Sequence, residues 1–375
     1  MSAGVYIHIP FCKSRCSYCD FATDVYRDEE RVETYVDALA SEILSDPRNA
    51  PIDTIYFGGG TPSLLSPKQL EKIVGAIETS FKIKDGTEFT LEMNPATVTP
   101  DKLKDFRSLG VNRASFGVQT FDDRDLRLLA RGHDSADALH TFRMLRQAGF
   151  ENISFDLIAA LPGQTIENWR GNLEKAISLS PEHLSLYLLE VHPETPLAAQ
   201  LEAGRRAIPD EDLAGEMYQI LQDEMESAGY EQYEISNFSR PGFASRHNTK
   251  YWMLEPVFGY GVSAHSFDGK NKRHANARET DDYLKLIETL GNARTFLEEL
   301  STEQLIGEFS FLRLRMSRGF TETEFEDRFG IRLPVRIWDE LRHFEDLGIT
   351  STQNGVLRLT KKGMLFSNEV FSSLV

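Results

Sequence analysis

The sequence predicts an α/β protein, a partial (β/α)6 barrel followed by a small C-terminal α+β unit of winged-helix type. Three observations lead there. Short apolar, β-rich runs recur at 5–9, 54–57, 88–93, 113–118, 152–158 and 183–190. Stretches with helical periodicity fill the intervals, at 30–44, 67–81, 101–109, 122–148 and 165–179. After residue 300 the pattern changes to helix, turn, helix and a short β-like run.

Strand–helix alternation calls for parallel βα units rather than a meander, with an open doubly wound sheet as the alternative to a partial barrel. Pro67 at the start of one helix and Gly149 just past another follow the usual cap asymmetry. A further helical stretch, 210–228, leads away from the sixth strand. Residues 237–269 are rich in Gly, aromatics and His and read as an irregular packed segment. In the tail, 321–329 and 334–346 are the two helices, and 349–359 is a wing that turns at Asn354-Gly355. The expected units are therefore 1–235, the barrel; 236–299, the irregular segment; and 300–375, the winged-helix-like domain.

Composition narrows the function. With 41% apolar and 26% charged residues the chain is ordinary globular protein, long enough for more than one domain. Its net charge of −17 excludes a general nucleic-acid coat. The tail holds 10 Lys and Arg against 11 Asp and Glu, so it reads as a packing or partner-docking module without nucleic acid. No apolar run approaches the roughly 18 residues of a membrane span, and the first residues lack the basic and apolar regions of a secretory signal. A soluble, cytoplasmic protein is expected. Association with an anionic membrane surface would need a partner, because the acidic chain is not drawn there by charge.

All three cysteines, Cys12, Cys16 and Cys19, fall within eight residues, and the 356 residues that follow contain none. An odd number packed this closely is no disulfide framework. A closed structural zinc site takes four ligands, and no second Cys or His pair follows at finger spacing. Three thiolates can hold three corners of a [4Fe–4S] cube and leave the fourth iron open.

The run Cys12-Lys13-Ser14-Arg15-Cys16-Ser17-Tyr18-Cys19 resembles the radical S-adenosylmethionine (SAM) superfamily. The resemblance implies a [4Fe–4S] cluster on Cys12, Cys16 and Cys19. It also implies a SAM cofactor chelating the open iron, with reductive cleavage to a 5′-deoxyadenosyl radical. Gly58-Gly59-Gly60-Thr61-Pro62 after the second strand is similar to the family's motif for the methionyl amine; read alone, it is a tight βα loop. Polar residues near the C-terminal ends of later strands fit a barrel site. Resemblance carries over Tyr6, Tyr18, Gly59, Gly60, Thr61, Glu92, Gln119, Arg131 and Asp156 as SAM contacts, with Arg131 placed in the helical stretch after the fourth strand.

Tyr6-Ile7-His8-Ile9-Pro10-Phe11-Cys12, Gly117-Val118-Gln119 and Leu161-Pro162-Gly163-Gln164-Thr165 resemble the oxygen-independent coproporphyrinogen III oxidase-like group. Its dehydrogenases have a further cysteine where this chain has Phe21, and an N-terminal extension where this chain has almost nothing ahead of Tyr6. The HemW-type heme chaperone branch is marked by His-Asn-x-x-Tyr-Trp, here His247-Asn248-Thr249-Lys250-Tyr251-Trp252. Gly259-Tyr260-Gly261-Val262-Ser263-Ala264-His265 is similar to a second segment of that branch, with Ser263 for its third Gly. An imidazole can ligate heme iron and aromatics can lie against the macrocycle, although such residues are more often core. Heme contacts are thus expected at His247, Tyr251, Trp252 and His265, the axial ligand being open between His247, His265 and Tyr251.

The expected function is a heme chaperone, not necessarily an enzyme, that binds heme and delivers it to apo-hemoproteins such as respiratory enzymes. The first alternative is a coproporphyrinogen III dehydrogenase that decarboxylates propionate side chains. A radical RNA-modifying enzyme is the second, which the acidic tail disfavours.

Overall fold

Six of the apolar runs form adjacent parallel strands: β1 (Ala3–Ile9), β2 (Pro51–Gly59), β3 (Lys82–Met93), β4 (Arg113–Gln119), β5 (Ile153–Ala159) and β6 (His183–Leu188). The structure, a computed structural model, describes residues 2–374. Register explains the strand composition. Val5, Ile7, Ile55, Phe57, Phe89, Leu91, Phe116, Phe155, Leu157, Leu184 and Leu186 point to one face and are buried with the covering helices. The alternate positions are polar or small: Tyr6, Tyr56, Glu92, Ser115, Gly117, Asp156 and Ser185. Parallel sheets covered on both faces are usually apolar throughout, so polar alternation here marks a concave face that lines a cavity.

Helices Glu29–Ser45, Pro67–Ser80, Pro100–Ser108, Ile166–Leu179 and Glu211–Ser227 contribute apolar stripes to that core. Pro67 follows the N-cap Ser66, whose hydroxyl accepts from Gln69 N in a capping box. The predicted 122–148 helix is two helices, Asp123–Leu128 and Ser135–Gln147. Ala130 takes a left-handed φ of 53°, and Asp134 restarts the chain with its own capping box to Asp137. Arg131 therefore lies in the break, not on a helix.

The segment expected to be irregular is ordered. Asn237–Ser239 pairs antiparallel with β6, and Val257–Tyr260 pairs parallel with β1 on its other side. His265–Phe267, Lys272–Asn276 and Arg294–Glu299 extend the sheet antiparallel, giving twelve strands in the order that starts at Arg294–Glu299 and ends at Glu231–Gln232. A buried carboxylate pins this extension to the barrel. Glu42 accepts from Gly261 N (2.9 Å), Asn276 Nδ2 (2.7 Å) and the Tyr283 hydroxyl (2.7 Å). Sequence composition hid these strands because they are short and interrupted by glycine.

The tail has the predicted winged-helix pattern. Helices Glu322–Phe329 and Val335–Asp346 precede a hairpin, Thr350–Gln353 with Val356–Leu359, turned at Asn354 and Gly355, both at positive φ. Phe309, Phe320, Phe325 and Phe329 pack largely edge to face in its core. Among the described residues no helix is long and apolar enough to cross a membrane.

Candidate functional site

The cysteine loop is tied down at both ends. Phe11–Cys12 pairs in parallel with Asp24–Val25, and Tyr26 N donates to Cys12 O (2.8 Å). Within it, Cys19 N donates to Cys16 O (3.3 Å), and the Ser17 hydroxyl to Leu128 O (3.0 Å). His8, on the concave side of β1, reaches Ala22 O through Nε2 at 2.8 Å. The three thiols are half-buried on the wall of a cavity of about 430 Å³ at the C-terminal ends of the strands.

A hydrogen-bond chain joins two of these thiols across the barrel mouth. The Thr61 hydroxyl donates to Cys12 Sγ (3.5 Å) and accepts from Asn94 Nδ2 (2.7 Å). The Asn94 carbonyl accepts from Arg131 Nη2 (2.9 Å), and Arg131 Nη1 donates to Cys16 Sγ (3.4 Å). Arg131 also donates to Gly117 O (2.7 Å). The guanidinium reaches this position because the chain breaks out of helix at Ala130. Glycines let the loop after β2 pack closely against the start of the cysteine loop. A Cβ on Gly60 would lie 2.6 Å from the Pro10 carbonyl oxygen, and Gly59 holds φ at 109°.

Two carboxyls face the same space. Glu92 accepts from the Tyr56 hydroxyl (2.6 Å) and from Gly59 N (3.2 Å). Burial pushes its pKa up to about 7, against the Tyr56 hydrogen bond. Asp156 rises to about 6, again through burial, against Ser185 and the charges of Arg113 and Arg131. Burial also raises Cys12 to about 11 and moves Cys19 upward. Thiolates here need compensating positive charge beyond Arg131, which an iron centre provides. Among the described residues no three His, Cys, Asp or Glu side chains gather about a single-ion site. A cube, with a separate iron for each thiolate, makes no such demand. Three thiols, the Arg131 guanidinium and two carboxyls on one cavity fit a cluster with a polar ligand beside it.

The expected SAM contacts converge: Tyr18, Gly59, Gly60, Glu92, Gln119, Arg131 and Asp156 line the cavity with the three cysteines. Thr61 stands behind Cys12. Tyr6 lies one layer deeper, its hydroxyl 3.1 Å from His8 Nδ1 and its ring stacked on Tyr56.

Of the expected heme contacts, His247, Tyr251 and Trp252 adjoin one another, and His265 stands apart. His247 is buried in the barrel floor on the helix Arg246–Trp252, whose first amides donate to Glu88. Its Nδ1 bonds the Thr54 hydroxyl (2.9 Å) and its Nε2 the Tyr251 hydroxyl (3.2 Å), so both ring nitrogens are engaged. Burial drives its pKa down to about 3, leaving it neutral. Trp252 instead packs beneath the Arg315 guanidinium, 4.3 Å from the ring centroid. His265 is exposed on the antiparallel extension, apart from the other three.

Sequence reasoning missed Asn94, Arg113 and Asn248, which line the cavity. Asn94 sits two residues after Glu92, at the spacing that returns a strand-end side chain to the same side. Arg113 is a lone cation opening an apolar run, a signal that could have been read. Asn248 was overlooked beside its more conspicuous histidine.

Residues 6–176 match the radical SAM superfamily, and residues 300–366 match the HemN C-terminal domain. The chain is 38% identical to Heme chaperone HemW of Bacillus subtilis (strain 168), over 99% of both chains. It is 30% identical to Heme chaperone HemW of Escherichia coli (strain K12), covering 98% of this chain and 96% of that one. Radical S-adenosyl methionine domain-containing protein 1, mitochondrial, of Mus musculus is 34% identical over 98% of this chain and 84% of its own. Among solved structures, coproporphyrinogen III oxidase (HemN) from Escherichia coli shares the fold, with a TM-score of 0.87 at 23% identity over 100% of this chain and 90% of that one.

Proposed function

The chain belongs to the radical SAM superfamily, on the branch of the HemW relatives, and from that membership we propose that it is a heme chaperone. It binds heme in the cytoplasm and hands it to apo-hemoproteins such as respiratory enzymes, with a [4Fe–4S] cluster and SAM held at the barrel mouth. The observation that carries this reading is the relation to heme chaperones at 38% identity over 99% of both chains, tail included.

In this reading Cys12, Cys16 and Cys19 each take one iron. A cluster with an open fourth iron supplies a chelating position and an electron. The chain's own groups do the rest. Arg131 offers positive charge beside Cys16, and the backbone of Gly59 and Gly60 lines the cavity wall. Glu92, Gln119 and Asp156 offer acceptors to its amine and hydroxyls, and Tyr18 closes the side. Since His247 presents no open nitrogen, the contribution of the His-Asn-x-x-Tyr-Trp segment is to build the barrel floor and set Asn248 into the cavity.

The test uses anaerobically reconstituted protein. Heme is titrated while the Soret band is followed, and then reductant, SAM and coproporphyrinogen III are added and protoporphyrinogen is assayed. Stoichiometric heme binding without decarboxylation is the expected result. Protoporphyrinogen formed over many turnovers would make the chain a dehydrogenase instead.

A further inference from the structure

At the floor of the cavity lies a cation whose charge acts on Asp156 and Glu92 but which none of the hydrogen bonds above engages. Arg113, at the start of β4, is 1% exposed, and its Nε has no hydrogen-bond partner among the described residues. A guanidinium placed to neutralise Glu92 and Asp156 would close on them, yet neither carboxylate lies within the 4.0 Å of an ion pair. Burying a guanidinium without an ion-pair partner is costly, and an anion entering the cavity would offset that cost. The Asn248 side chain lines the same floor, brought there by the helix that His247 and Glu88 fasten. Ser115 and Ser185 line the same cavity. The mouth has the opposite character: Phe21, Tyr187 and Val191 are exposed apolar side chains, and Phe21 and Tyr187 line the opening with Leu188 and Leu189.

We propose that Arg113 and Asn248 form a carboxylate subsite at the barrel floor, which takes one propionate arm of a tetrapyrrole whose apolar ring rests against the lip at Phe21 and Tyr187. This rests on the heme reading above and names the part of the cargo that the barrel grips. Guanidinium and amide meet the carboxylate oxygens as donors, and the narrow cavity excludes the water that would weaken the contact.

The experiment compares heme, heme dimethyl ester and coproporphyrin III on cluster-reconstituted wild type, Arg113→Gln and Arg113→Lys, with iron content and SAM binding as controls. Wild type is expected to bind heme about tenfold to a hundredfold more tightly than the ester, the span of one charge-assisted contact. Arg113→Gln is expected to lose that preference with its iron content unchanged, and Arg113→Lys to retain part of it. Equal affinity of wild type for heme and ester overturns the subsite and leaves the heme reading standing. Binding of coproporphyrin III alone, lost in Arg113→Gln, sustains the subsite and overturns the heme reading. Binding of none of the three overturns both.

Discussion

Asn94 is the middle link between Cys12 and Cys16, and its amide both donates and accepts, so no apolar residue can replace it. Asn94→Ala leaves Arg131 Nη2 and Thr61 each short of a partner, at a cost of about 1–3 kcal/mol. The expected outcome is a folded protein that surrenders iron to a chelator faster than wild type, and equal release rates would remove Asn94 from the cluster's support. Glu92 gives a pH signature. Its proton is held to about pH 7 in the folded chain, against 4.5 when unfolded. Below 4.5 both states are protonated and the group is neutral to stability. Between 4.5 and 7 the folded state binds more protons, so stability falls as pH rises, by at most about 3 kcal/mol, and is flat above. From pH 4.5 to 7 the thermal midpoint of Glu92→Gln, cluster-free, should therefore rise relative to that of wild type. Parallel curves would show that burial does not dominate at this carboxyl.

The helix Arg246–Trp252 shows how one short element organises several others. Glu88 fixes its N-terminus, His247 pins it to β2 through Thr54, and Lys250 donates to Ser2 O (3.0 Å) and pairs with Asp53 and Glu255. Its last residue, Trp252, lies under Arg315 of the tail. Removing the imidazole leaves a hole and an unpartnered Thr54 hydroxyl, so His247→Ala should lower stability by about 2–4 kcal/mol. The heme Soret maximum should stay where it is. A moved Soret band with an unchanged melting temperature would return His247 to the role of axial ligand.

The whole molecule is held together where the tail meets the last strands of the sheet. Glu234 is fully buried, and the Arg315 Nε stands 2.7 Å from its carboxylate, at an angle too poor for a hydrogen bond. Ser317 N donates to Tyr233 O (3.1 Å), and its hydroxyl to Gln232 O (2.5 Å). Glu234→Ala would strand Arg315, at a cost of about 3–5 kcal/mol for a broken buried pair. Urea unfolding should give a midpoint lowered by that free energy divided by the m value. An unchanged midpoint would mean that the apolar core of the tail, and not this ion pair, sets its attachment.

Local information sufficed for much of this. The six strands, most of the helices and the wing were legible because each is written in a periodicity or a turn dipeptide within one segment. The cysteine loop was legible for the same reason, since its three thiols are neighbours in the chain. Non-local placement was not legible. The break at Ala130 that frees Arg131 depends on packing that outweighs a continuous helical pattern. Arg113, Asn94 and Asn248 meet only because strand register and a docked helix turn them toward one space, and the sequence separates them by up to 154 residues. His247 looked like a ligand by its neighbours. Only the fold shows that both its nitrogens are engaged by Thr54 and Tyr251, because those partners meet it through strand register and helix docking.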